Sequence, residues 1–217
     1  LKTSEKADPQ IKKRAKEIIE ILSAKYPDPQ CALTHLDPWQ LMVATILSAQ
    51  CTDKRVNMVT PGLFKEFNGI KAFADADQEA LEKAIHSTGF YHNKARNIIA
   101  CARALLERHA GVIPQTLAAL TELPGVGRKT ASVVLGTGFG KAEGIVVDTH
   151  VTRLAQRMGL SLHTDAEKIE QDLMKVVAKK HWINFSHFLI MHGRERCAAR
   201  RADCGNCELQ IICPKRI

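Results

Sequence analysis

The chain has 217 residues, with 31 Lys and Arg against 23 Asp and Glu, a formal charge of +8. Hydrophobic residues at 45% and charged residues at 25% exclude a disordered chain. No apolar run reaches the ~20 residues of a bilayer crossing, and the charged stretch over residues 1–10 lacks the apolar core of a secretory leader. Leu1 reads as a trimmed start, and a soluble cytoplasmic protein is expected. The positive balance favours a polyanion as partner, while an aromatic content of 5% argues against a base-stacking surface for single strands.

Asp8 and Pro9 supply a cap and a first-turn proline for a helix whose Ile11, Ala15, Ile18, Ile19 and Leu22 recur at helical steps. Leu41–Leu47 is apolar on every side, the pattern of a helix buried in a core. Ile98, Ala102, Leu105 and Leu106 mark a further amphipathic helix. Residues 136–144 hold four of the 13 glycines and read as a loop between two helical groups. Beyond it, Thr164 and Glu167 form a capping box ahead of a helix through Ile169, Leu173, Val176 and Val177. No alternating stretch exceeds residues 145–147 and no solenoid period recurs. The fold is expected to be all-α, with roughly ten helices.

The most informative segment is Leu123–Ala131, Leu-Pro-Gly-Val-Gly-Arg-Lys-Thr-Ala. Pro124, Gly125, Val126 and Gly127 read as a tight turn, followed by a helix through Val133, Val134 and Leu135. Glycines let main-chain N–H groups approach an anion, and a helix N-terminus adds its positive dipole end. Thr130 breaks the dinucleotide fingerprint, and Arg128 between Gly127 and Lys129 excludes a P-loop. A phosphate seat and an ordinary glycine turn between helices fit this spacing equally. Lys129 puts a cation in the first helical turn, against the dipole, and such broken local rules gather at functional sites. The helix end and Arg128 disfavour its ammonium form, and a neutral amine is a nucleophile. A solvated lysine touching DNA phosphate is the plainer alternative. Asp148 sits where an N-cap belongs, ahead of Val151, Leu154 and Met158, and can also serve as a carboxylate aimed at Lys129.

Cys31, Cys51 and Cys101 are scattered, whereas Cys197, Cys204, Cys207 and Cys213 crowd together. An odd total so clustered argues against a secreted disulfide framework, and the scattered three are expected in core packing. The other four offer thiolates to tetrahedral zinc or to an iron–sulfur cluster, with only one C-x2-C knuckle among them. Residues 194–217 carry six Lys and Arg against three Asp and Glu, with Arg200 and Arg201 between the first two clustered cysteines.

LPGVGRKTA, the downstream VDTHV, the upstream ILSAQCTD, LIMHGR and the four closing cysteines together resemble the endonuclease III family. These are helix–hairpin–helix DNA glycosylases with an associated lyase activity, and the resemblance covers roughly residues 30–213 in the family's order. It implies that Lys129 attacks C1′ of a damaged nucleotide, displacing the base and forming an imine with the opened sugar. Asp148 then matches the aspartate that assists this attack and the later proton transfers, and β-elimination nicks the strand on the 3′ side. The implied substrates are oxidised or ring-saturated pyrimidines flipped out of the duplex. Gln50 matches the glutamine that enters the gap left behind. Phe90, within Ser87–Tyr91, stands where the family often has a leucine wedge. Gly125, Gly127, Arg128, Thr130 and His150 are implied DNA contacts. The cysteine spacing is the one the family uses for a [4Fe-4S] cluster, which fixes the loop carrying Arg200 and Arg201 against backbone phosphates. The stretch from Lys129 to Asp148 looks one residue longer than in well-known members, an insertion assigned to the 136–144 loop.

The expected architecture is two helical lobes: a central helical bundle over residues 31–141 with the hairpin, and a cluster lobe built from residues 1–30 and 142–217. The active cleft is expected between them. The expected partner is double-stranded DNA containing damaged pyrimidines or abasic sites, met by a monomer that binds no membrane and that would be nucleoid-associated in a bacterium. Two other readings compete. A mismatch adenine glycosylase shares hairpin and cluster but normally lacks the hairpin lysine and carries an extra C-terminal domain. A non-catalytic DNA-binding module would use the hairpin for backbone contacts alone.

Overall fold

The computed structural model describes residues 8–216; Ile217 and residues 1–7, most of the charged stretch noted above, lie outside the described residues. In chain order the helices are α1 (Pro9–Lys25), α2 (Pro38–Leu47), α3 (Asp53–Glu66), α4 (Gly69–Ala74), α5 (Gln78–Ile85) and α6 (Tyr91–His109). They continue as α7 (Leu117–Thr121), α8 (Arg128–Val133), α9 (Thr149–Arg157), α10 (Ala166–Val176) and α11 (Trp182–Glu195). The described residues form no strand beyond one bridge pairing Cys197 with Ala202, and none of their helices is long and apolar enough to cross a membrane. The chain divides into two compact units: Cys31–Glu143, and the described residues up to Gln30 together with those from Gly144 onward.

In the first unit α2 is the central rod. Asp37, with extended backbone, accepts from the Gln40 amide at 2.8 Å, Pro38 opens the helix, and every residue from Leu41 to Leu47 is buried. Burying a Leu or Ile contributes roughly 1.5–3 kcal/mol, so this apolar girdle holds the helix in place more than its propensity does. α6 packs against it through Ala95, Ile98, Ala102 and Leu105. Cys101 is fully buried in this core, and burial pushes its thiol up to about 12; Cys31 and Cys51 pack at its edge.

The glycine-rich stretch expected as a loop from residue 136 begins as helix instead. α8 continues through a π-helical turn, Val134–Gly138, in which Val134, Leu135 and Gly136 are buried. Gly138 serves close packing: a Cβ there would stand 3.3 Å from the Pro38 Cβ at the start of α2. The amides of Gly140 and Lys141 then donate to the carbonyls of Gly136 and Leu135 and end the helix, so the loop proper starts at Gly140.

In the second unit α1 buries Ala15, Ile18, Ile19 and Leu22, with Asp8 accepting from the Gln10 amide at 2.8 Å. α9, α10 and α11 complete its core through Leu154, Ile169, Leu173 and Phe185. The capping box expected at Thr164 and Glu167 does not form. Asp165, one residue later, accepts from the Lys168 amide at 3.0 Å and opens α10. A carboxylate caps at least as well as a hydroxyl and also favours the helix dipole, which moves the start by one residue.

Candidate active site and DNA interface

The hairpin grows from two apolar anchors. Leu123 and Val126 are buried, and the Val126 amide donates to the Leu123 carbonyl at 3.1 Å, closing a turn with Pro124 second and Gly125 third. Gly125 has φ +74°, the positive value that the third position of a type II turn requires. A Cβ there would also approach the Asn97 Cβ to 2.7 Å. Gly127 is different. It is the N-cap of α8 with φ −80° and ψ 173°, and an added Cβ would meet nothing within 4 Å. The fold needs glycine at 125 but not at 127, which is exposed. Arg128 and Lys129, the first two helical residues, are exposed, and Thr130 is half-buried.

Gln50 and Phe90 belong to the same unit. Gln50 follows α2 by three residues, is exposed and has φ +53°; Phe90 is the N-cap of α6, 62% exposed, with φ +49°. Left-handed backbone at a non-glycine residue is uncommon and concentrates where the surroundings impose it at functional positions. Between these turns lies Lys94, only 5% exposed, whose Nζ donates to the carbonyls of Leu47 and Thr88, each at 2.8 Å.

In the other unit Asp148 has extended backbone and its Oδ1 accepts from the Val151 amide at 2.8 Å, capping α9. His150 Nδ1 lies 3.1 Å from Arg153 Nη2, a local bond. The far end of the same helix holds the cysteine loop. Arg157 Nη1 donates to the Ala198 carbonyl at 2.8 Å and reaches Cys197 Sγ at 3.4 Å, while its Nη2 donates to the Ala199 carbonyl at 2.9 Å. Arg153 Nε adds a bond to the Cys197 carbonyl at 3.2 Å. With the Cys197–Ala202 bridge closing the loop, Arg200 and Arg201 are presented exposed at its tip. Cys197, Cys204, Cys207 and Cys213 line one cavity with His192, Arg196, Met158 and Leu209.

Residues 43–179 match the model of the HhH-GPD superfamily of base excision DNA repair proteins. Endonuclease III of Synechocystis sp. is 52% identical over 94% of this chain and 93% of its own length. The chain belongs to the endonuclease III family. Endonuclease III of Escherichia coli is 41% identical over 91% of this chain and 93% of its own. A solved structure of a trapped endonuclease III–DNA covalent intermediate, an estranged-adenine complex, superposes with a TM-score of 0.89 at 38% identity, covering 94% of this chain and 96% of that one. As a member of that family, the chain is a DNA glycosylase with AP lyase activity acting in base excision repair.

Some of the residues that hold these turns and the cysteine loop in place carry little signal in the sequence. Arg153 and Arg157 are visible only as a pair four apart on α9. Lys94 has one signal, a lysine four residues before Ile98 on the apolar stripe of α6, where a cation is out of place.

Proposed function

We propose that the chain removes oxidised or ring-saturated pyrimidines from duplex DNA, with Lys129 as nucleophile and Asp148 as the proton-transfer group. The observation that carries this reading is Lys129 itself, exposed in the first turn of α8 directly behind the tight turn at Gly125. A cation there serves neither helix nor core, whereas an amine at that point can act as a nucleophile. The Lys129 amine attacks C1′, the glycosidic C–N bond breaks, and the base leaves with a proton. The sugar ring opens to an imine. A proton then leaves C2′, the bond to the 3′ oxygen breaks, and water releases the lysine from the cleaved product. Asp148 receives and returns protons in these steps.

Damaged bases stack and pair poorly, which lowers the cost of flipping them out. Gln50 fills the gap and Phe90 wedges the step beside it, as their exposed positions allow. Gly125, Gly127, Arg128 and Thr130 seat the backbone at the hairpin, His150 is a DNA contact on α9, and Arg200 and Arg201 meet phosphates from the cysteine loop.

The four cysteines suit an iron–sulfur cluster better than a single metal ion. Tetrahedral zinc with sulfurs at ~2.3 Å needs sulfur–sulfur separations of about 3.8 Å. No three of these sulfurs lie within 4.8 Å of one another, although all four line one cavity. Burial pushes the Cys207 and Cys213 thiols up, with Glu208 and then neighbouring thiolates adding at Cys207 and thiolates adding at Cys213; a bound metal centre would favour the thiolates instead. Cys197, Cys204, Cys207 and Cys213 would hold a [4Fe-4S] cluster, which on this reading supplies rigidity to the loop rather than a step of the reaction. Stoichiometric iron with visible charge-transfer absorbance is expected, and a colourless zinc protein would contradict it.

The lesion assignment is tested with a duplex containing one thymine glycol. Release of the free base together with a nick on its 3′ side is expected. Base release without a nick would remove the lyase step, and no release from any oxidised pyrimidine would remove the substrate class.

A further inference from the structure

We propose that Lys94 is a positioning residue that ties the Gln50 turn to the Phe90 turn, so that gap filling and wedging occur as one event. The inference rests on the reading that these two residues enter DNA. Lys94 lies in the first turns of α6, yet its ammonium is spent on two chain ends from elsewhere in the sequence. One hydrogen bond goes to the Leu47 carbonyl at the C-terminus of α2, three residues before Gln50. The other goes to the Thr88 carbonyl at the end of the short 3-10 turn His86–Thr88, two residues before Phe90. Both bonds are 2.8 Å, and the side chain is 5% exposed.

A helix C-terminus leaves carbonyls unsatisfied and carries partial negative charge, so a cation aimed at Leu47 is favourable. Burying an ammonium is otherwise unfavourable, and burial does pull the Lys94 pKa down, with Cys51, the neighbour of Gln50, acting the other way. Apolar packing of α6 would be served better by leucine. Thr88 is itself buried and its hydroxyl donates to the Ile85 carbonyl at 2.8 Å, so the strand of chain that Lys94 grips is rigid. The two left-handed residues follow the two gripped carbonyls by three and two positions, close to where an imposed backbone conformation has to be held. One buried donor thus constrains both turns at once.

The test compares Lys94→Met, which keeps the buried stem and removes the donors, with Gln50→Ala and Phe90→Ala in the full-length protein. A thymine glycol duplex with 2-aminopurine beside the lesion reports extrusion by fluorescence. A preformed abasic duplex, with no base to extrude, reports the amine chemistry by borohydride trapping. Lys94→Met should lower single-turnover base release roughly 10- to 100-fold and remove most of the fluorescence rise, while trapping changes less than about threefold. Equal losses in both assays would mean a merely structural lysine and overturn the proposal, as would wild-type base release by a folded Lys94→Met protein. If Gln50→Ala and Phe90→Ala both leave base release and fluorescence unchanged, the reading of those residues fails and takes the Lys94 role with it. If they matter and Lys94→Met does not, only the Lys94 inference fails. An independent measurement needs no variant. Amide exchange over residues 48–51 and 88–91 of the wild type should share one dependence on denaturant, as a jointly opening segment does. Two separate dependences would overturn the tie.

Discussion

The Asp148 carboxylate accepts a hydrogen bond from the Val151 amide at 2.8 Å, so the residue proposed for the proton transfers is also the one that starts α9. The two roles separate by substitution. Asp148→Asn keeps a capping oxygen and should leave thermal stability almost unchanged, yet lower base release roughly 10²- to 10⁴-fold. Asp148→Ala should lose the same activity and also about 1 kcal/mol of stability. An Asp148→Asn protein with near wild-type turnover would make Asp148 a cap and nothing more.

The two hairpin glycines give opposite predictions. Gly125→Ala meets the Asn97 Cβ and a positive φ together and should destabilise the protein by about 1–3 kcal/mol. Gly127→Ala meets nothing and should change stability by less than about 1 kcal/mol. Its Cβ would nevertheless stand where a phosphate approaches, and affinity for any duplex should fall roughly tenfold, about 1.4 kcal/mol. Melting curves and titrations with undamaged duplex decide it; unchanged affinity would make Gly127 an ordinary turn residue.

Much of this was legible because the informative signals are local. The apolar run Leu41–Leu47, the turn chemistry of Pro124 and Gly125, and the cap at Asp148 each depend on neighbours within a few residues. What was not legible is of two kinds. The start of α10 and the length of the α8 helix depend on close choices between adjacent residues, Thr164 against Asp165, and glycine as loop against glycine as packing surface. The grip of Lys94 on Leu47 spans 47 positions, and that of Arg157 on Ala198 spans 41, distances over which a spacing pattern carries no information.

Arg201, exposed at the tip of the cysteine loop, should act as a phosphate contact. Arg201→Ala is expected to weaken damaged and undamaged duplexes alike and to flatten the salt dependence of binding by about one unit of slope. Arg157→Ala, which removes the bonds to the Ala198 and Ala199 carbonyls, should have the same signature. A loss confined to damaged duplex would place Arg201 at the lesion instead.

Stability should fall in acid partly through Asp172. Burial pushes its carboxyl up, but hydrogen bonds from His163, Ser161 and Lys175 outweigh burial and hold it below the ordinary 3.8. A carboxylate depressed in the folded state stabilises above its unfolded value, and that contribution is lost as pH falls from about 4 through the folded value. The wild type should therefore lose stability faster than Asp172→Asn below pH ~4. Parallel curves for the two proteins would show that the Asp172 cluster contributes nothing there.

The most direct test is covalent trapping at Lys129. Wild-type protein mixed with a thymine glycol duplex and borohydride should give a protein–DNA adduct, because reduction fixes the imine. Lys129→Ala should bind the same duplex and give none. An adduct that persists in Lys129→Ala, or a wild type that binds without being trapped, would contradict the account.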